Sequence, residues 1–382
     1  MTPTTRRLIA VRGLRSLGQG VLVVDFALYL RGLHWSAVAI SAVLSLGLAV
    51  GAALMAVAGP ASDRLGRRGF LIGYELALLL AAAVALVTAA PGPLAVAAVV
   101  GGFGRGANGA AGPFAPVEQA WLAEGLAPDE RGHVFSVNAG MGFSGMAVGA
   151  LLAALVPVLG QRFPFVVVMA ASALCLAVLV GLREVRGPRA AEAEPVVRQR
   201  ENGLVRRLVV ANALNGIGIG MTGPLIAYWF AVRFGRGPEA IGPLLAASFA
   251  LTAAASLGAG RLTRRHGVVR TVVGLRAAGV GMLLALPFAP GFATAAVLYV
   301  GRSVVNRSTI GARSALSVGL VRAERRGFAV SVGAVSSAVP RAVGPLLTGV
   351  MFQHGWLALP FVLGAVFQVG YLVAFYGFRE FG

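Results

Sequence analysis

The chain has 382 residues, 57% of them hydrophobic and only 12% charged, at a mean hydropathy of +0.81. That balance excludes an ordinary soluble domain and leaves room for many membrane spans, each needing about 20 apolar residues. The formal net charge is +19, and all 33 basic residues are arginine, so whether they signal nucleic acid depends on where they lie. Cys175 is the single cysteine, which rules out an intrachain disulfide, and His34, His133, His266 and His354 are too scattered for a metal site. No cofactor is expected.

The amino terminus, with Arg6 and Arg7 before an apolar stretch, resembles a signal peptide. That stretch carries Arg12, Arg15 and Asp25 and lacks a convincing cleavage site, so it is read as a retained first span. Apolar runs predict spans near 8–30, 36–58, 70–90, 94–120, 133–158, 163–182, 208–231, 238–260, 271–289, 292–316, 328–352 and 357–378. Twenty-one arginines fall on the side holding the connection after span 2, and only Arg31, Arg162, Arg233 and Arg236 fall opposite. This asymmetry places both termini and that connection in the cytoplasm. It also explains the positive charge by topology and argues against a nucleic-acid partner. The abundance of Ala, Gly and Arg points to a GC-rich bacterial gene, hence the inner membrane of a bacterial cell.

Two stretches organise the chain. The polar segment 183–206, with Pro188, Pro195 and mixed charge, reads as a cytoplasmic linker between residues 1–182 and 207–382. Between spans 2 and 3 stands Gly59-Pro-Ala-Ser-Asp63-Arg64-Leu-Gly66-Arg67-Arg68. Its glycines allow tight backbone, and its one acid can cap a helix or hold an arginine of a neighbouring element. The second half repeats it, at a shift of 201, as Gly260-Arg-Leu-Thr-Arg264-Arg265-His-Gly267. Arg131-Gly132 with Ser136 and Gly149 recurs as Arg326-Gly327 with Ser331 and Gly344, at a shift of 195.

The Gly59–Arg68 pattern resembles the signature loop of the major facilitator superfamily of secondary transporters, and the duplication extends the likeness over essentially the whole chain. The resemblance implies an all-α membrane protein of 12 transmembrane helices in two pseudo-symmetric six-helix bundles, related by an axis along the membrane normal. It also implies that Gly59, Asp63, Arg64, Gly66, Arg67 and Arg68 form a cytoplasmic gate motif. Glu118, near the cytoplasmic end of span 4, is expected to pair with the Arg64–Arg68 cluster. Two departures weaken the match. Arg264 stands where the first half has Asp63, and span 5 reads Gly149-Ala150 where the family's antiporter motif has Gly-Pro, although span 11 has Gly344-Pro345.

Charges inside spans are the candidate transport residues. An arginine near the bilayer centre costs about 2.5–3.5 kcal/mol unless it meets water or a partner. Arg105, Arg302 and Arg341 fall near mid-membrane, and Arg15 about two turns in. They lie on spans 4, 10, 11 and 1, which resemble the family's cavity-lining helices, and Arg105 with Asn108 and Gly109 looks like the family's span-4 arginine motif. The alternative is that each arginine is structural, bonded to carbonyls or amides of adjacent helices. Asp25 is the one obvious deep carboxylate. A carboxylate in a low-dielectric cavity can take up and release a proton, while its alternative is a permanent pair with an arginine. Gln19 is a candidate substrate contact. Glu75 and its counterpart Arg276 are read as peripheral. Gly104-Arg-Gly106-Ala-Asn-Gly109 spells a dinucleotide fingerprint, but inside a span with no preceding strand it carries no such meaning.

The reading is a secondary active transporter, not an enzyme, working as a monomer in the lipid bilayer by alternating access. It would export small amphipathic or anionic substrates, coupled to protons. Proton-coupled uptake or exchange of organic anions is the alternative, and a non-transporting receptor or scaffold is the alternative of another class.

Overall fold

The computed structural model describes residues 1–106, 112–123, 126, 128–182, 184, 195–311, 313 and 326–378, and these are helix, turn and short connection throughout. The first set of helices is α1 (Pro3–Gly32), α2 (Ala37–Leu65), α3 (Arg67–Val87), α4 (Pro91–Gly101), α5 (Ala115–Ala123), α6 (Pro128–Ala153), α7 (Val156–Leu159) and α8 (Phe163–Val180). The second is α9 (Pro195–Thr222), α10 (Ile226–Phe234), α11 (Pro238–His266), α12 (Val268–Ala285), α13 (Phe292–Ser308), α14 (Arg326–Gln353) and α15 (Leu359–Tyr376), with a short 3-10 turn at Leu286–Phe288.

Among the described residues, nine helical stretches are long and apolar enough to cross a membrane. The three other expected spans fall short for visible reasons. α1 has 30 residues but carries Arg12, Arg15 and Asp25, and α13 has 17 with Arg302 and Arg307. Span 4 is divided between α4 and α5, of 11 and nine residues.

The Gly59–Arg68 stretch is not a loop. α2 runs on through Gly59 and Asp63 to Leu65, and the whole connection is Gly66, at φ 78° and ψ 152°. Gly267, between α11 and α12, has φ 79° and ψ 156°. A side chain is strained at such a φ, so glycine is required at both turns of the repeat. The side chains of Asp63 and Arg64 lie outside the described residues. The acid that caps α3 is Glu184, whose two carboxylate oxygens accept the Arg67 and Arg68 amides at 2.9 and 3.0 Å. Arg68 in turn donates to the Leu179 and Val180 carbonyls at the end of α8, and Arg67 to the Ala120 carbonyl. Both ends therefore satisfy the helix dipole, an acid at an N-terminus and a cation at a C-terminus.

Within each set, glycine brings backbones together. A methyl group at Gly20 would stand 2.8 Å from the Met146 Cα, and one at Gly149 would overlap the Leu17 carbonyl, which seats α6 against α1. Gly216, Gly220 and Gly344 do the same between α9 and α14. Small residues at these crossings allow close van der Waals packing where lipid supplies no hydrophobic drive.

The two sets meet chiefly through α2 with α14 and α6 with α11. The described contacts cluster at the end remote from Gly66. There Gly349 lies on Ser41, the Ala37 amide donates to Gln353 Oε1 at 3.2 Å, and Gly242 packs on the Ala150 carbonyl. The Arg31 guanidinium lies 5.8 Å from the Tyr228 ring, which stacks on Phe352.

Candidate functional site

Span 4 was expected to be one helix over 94–120, but α4 stops at Gly101. Gly102, Gly104 and Gly106 take φ values of 60°, 73° and 105°, which unwind the chain inside the membrane. Irregular backbone at that depth is tolerated only against protein or a water-lined cavity. Arg105 sits in this break and is 8% exposed. Its guanidinium folds back over Gly102 and reaches α2, where a methyl group at Gly51 would stand 2.6 Å from Nη1. Nε, Nη1 and Nη2 are all buried without a hydrogen-bond partner among the described residues. Gln19 borders the same break, its Cβ 4.0 Å from where a Gly106 side chain would begin, beside Val23 and Met146. Asn108 lies outside the described residues.

Span 7 is also interrupted. α9 ends at Thr222, α10 begins at Ile226, and Arg302 of α13 donates through Nη2 to Thr222 Oγ1 at 3.1 Å. Arg302 is 4% exposed, and its Nε has no partner among the described residues. Arg341, whose main chain packs on Gly216 and Gly220, likewise has a buried Nε without a partner among the described residues. Two arginines at two helix breaks, each holding donors in reserve, are equipped to receive an acceptor from outside the chain.

Arg15 is placed differently from expectation. Its Nε reaches Glu75 Oε1 at 2.5 Å, and its Nη1 reaches Glu118 Oε2 at 2.8 Å, with all three side chains at most 2% exposed. Asn138 donates to the other Glu118 oxygen at 2.9 Å, and the Phe114 ring lies 3.9 Å from the guanidinium. Arg15 is thus held by α3 and α5 rather than offered to a cavity. Glu118, expected on the Arg64–Arg68 cluster, spends both oxygens on Arg15 and Asn138. Glu75 is buried rather than peripheral, so Asp25 is not the only deep carboxylate. These errors share one cause: Glu75 lies 60 residues from Arg15 and Glu118 lies 103, and helix rotation was invisible at that separation.

Asp25 is 4% exposed and makes no hydrogen bond or ion pair with a described residue. The permanent arginine partner considered for it is therefore absent among the described residues. Tyr29, one turn further along α1, is its polar neighbour.

The second set is charged in another way. Arg276 is buried, donating through Nη1 to Asn215 Oδ1 at 2.8 Å with the Tyr371 ring 4.6 Å away. Arg307 donates to Ser248 and Tyr299 and lies 4.5 Å from the Phe249 ring. Sequence reasoning missed Arg307, although it follows Arg302 by five positions in one apolar run. Beyond residue 207 the sequence holds three acids, of which Glu239 bonds the Gly237 amide at an exposed turn. Glu324 and Glu380 lie outside the described residues.

Helices that repeat as two sets, spans broken at buried guanidiniums, and contacts between the sets gathered at one end define a multi-pass membrane transporter. The model of the Major Facilitator Superfamily matches residues 8–206 and 208–380. The chain belongs to that family. Its fold is similar to that of a bacterial homolog of the human lysosomal transporter Spinster, solved inward-facing and unoccupied, with a TM-score of 0.73 at 15% identity over 99% of this chain and 97% of that one. It is also similar to a D-xylose–proton symporter (0.74, 14%, over 97% and 96%) and the human organic anion transporter MFSD10 (0.70, 16%, over 98% and 100%). No curated protein matches the chain at a significant level.

Proposed function

We propose that the protein is a proton-coupled secondary transporter that exports small anionic or amphipathic anionic compounds across a bacterial inner membrane. The observation that carries this reading is Arg105, with three buried guanidinium nitrogens and no partner among the described residues. A buried charge without counter-charge is strongly penalised, and a carboxylate or phosphate on the substrate supplies both charge and paired acceptors. Arg105, Arg302 and Arg341, with Gln19 and Asn108, line the substrate path, while Arg15 is structural. Asp25 carries the coupling proton.

Residues 1–182 and 207–382 rock about a central site as a monomer, with 183–206 as the linker. Both termini and the Asp63 region face the cytoplasm, where that stretch latches the cytoplasmic side in the opposite state. With this orientation, the contacts of α2 with α14 and of α6 with α11 close the outer face, in keeping with the inward-facing label of the Spinster homolog. Coupled uptake remains a second reading, favoured by the proton-symport label of the D-xylose protein.

The test is binding of matched anionic and cationic compounds to wild type, Arg105→Gln and Arg341→Gln. Anions should bind more tightly, and each substitution should weaken them at least tenfold. The reading fails if cations bind better and neither substitution affects anions. Proton flux on addition of substrate to proteoliposomes separates a transporter from a scaffold.

A further inference from the structure

The Arg15–Glu75–Glu118 cluster has a counterpart in the second set from which the carboxylates are missing. Glu75 and Arg276 are related by the shift of 201, and Asn215 stands 200 residues after Arg15. The first set therefore joins α1 to α3 with Arg15 and Glu75, a cation and an anion. The second joins α9 to α12 with Asn215 and Arg276, an amide and a cation. One buried positive charge remains unanswered there.

The surroundings are rich in donors. Arg276, Gln368 and Tyr371 are each 1% exposed. Arg276 Nε and Gln368 Nε2 are buried without a partner, and the Tyr371 hydroxyl has no acceptor among the described residues. These groups share one seam. α9 and α12 run in the same sense and α15 runs back between them. Asn215, Arg276 and Tyr371 therefore form one level, while Gly218 and Gln368 form the next, one helical turn away. The Gln368 Cγ lies 3.2 Å from where a Gly218 side chain would begin. No carboxylate of α9–α15 reaches this seam among the described residues.

We propose that the α9–α12–α15 seam holds a small inorganic anion, of chloride size and charge, bound by Arg276 Nε and Gln368 Nε2 with the Tyr371 hydroxyl. The enclosure of all three side chains fits an ion rather than an organic solute. The anion does for the second set what Glu75 does for the first, compensating a guanidinium that would otherwise be buried with too few acceptors. Arg105 belongs to the other set of helices, and the proposal does not depend on the transport reading.

The experiment is thermal unfolding of the full-length protein in nanodiscs, exchanged into gluconate at fixed ionic strength and titrated with sodium chloride or sodium bromide. A ligand that binds only the folded state raises the midpoint with the logarithm of its concentration, here by about 2 °C per tenfold. Wild type should show that rise with both halides. Asn215→Asp places a carboxylate within reach of Arg276, so its midpoint should be insensitive to halide and at least as high as that of halide-saturated wild type. Arg105→Gln should keep the wild-type response, which separates this site from Arg105. A wild-type midpoint equal in chloride and gluconate overturns the proposal, as does a wild-type halide response in Asn215→Asp.

Discussion

Replacing Arg15 by leucine tests whether the buried cluster of the first set is structural. The guanidinium makes two charge-assisted bonds, at 2.5 Å to Glu75 and 2.8 Å to Glu118, with side-chain exposures of at most 2%. Breaking one buried ion pair from one side costs about 3–5 kcal/mol, because the remaining charge is left in a medium that solvates it poorly. Arg15→Leu strands two carboxylates, so a loss at the upper end of that range is expected. Glu75→Gln and Glu118→Gln each leave Arg15 one anion and should cost less. Replacing buried ion pairs by apolar groups of similar volume is often neutral or stabilising, so Arg15→Leu combined with Glu75→Leu and Glu118→Gln should recover most of the loss. The assay is thermal unfolding in nanodiscs at saturating chloride. At about 1–1.5 °C per kcal/mol for a chain of this length, Arg15→Leu should lower the midpoint by about 5 °C or more. A drop under about 2 °C, or a triple variant no better than Arg15→Leu alone, would refute the assignment and return Arg15 to the substrate path.

Asp25→Asn should abolish gradient-driven substrate movement while leaving substrate exchange measurable, and a variant that still concentrates substrate against a gradient would remove Asp25 from the coupling. Gly349→Ala places a methyl group against Ser41 Oγ and 2.8 Å from the Ala37 carbonyl, which should pry α14 from α2. In a Cys175→Ser background, a cysteine introduced at Ser41 should then be labelled from outside severalfold faster, and unchanged labelling of a folded variant would show that this contact does not close the outer face.

The sequence disclosed most where the physics is local. Apolar runs of span length, the arginine asymmetry and the glycines recurring at a shift of 201 were enough for the family fold, and Arg105 and Arg302 stood out as charges in apolar runs. What stayed hidden depends on distance along the chain or on backbone conformation. Arg15 could not be matched to Glu75 without the rotation of α1 and α3. Gly104 and Gly106 stood only in a discounted dinucleotide spelling within a span drawn as continuous, because a glycine that permits close approach and one that takes a positive φ are written alike. The Gly59–Arg68 stretch was charged enough to resemble a loop, yet α2 continues through it. Glu184, in a polar stretch read as linker, gave no sign that it would cap α3.

The two ways of holding buried arginines also differ in the order in which a ribosome supplies them. In the second set three arginines arrive after an acceptor they bond: Arg276 follows Asn215 by 61 residues, Arg302 follows Thr222 by 80 and Arg307 follows Ser248 by 59. A helix entering the bilayer with such a charge finds its acceptor already in place. In the first set Arg15 precedes Glu75 by 60 residues and Glu118 by 103. α1 therefore carries an insertion penalty of about 2.5–3.5 kcal/mol until α3 follows it, and a nascent chain halted after α2 should hold α1 in the membrane less firmly than one that has reached α3.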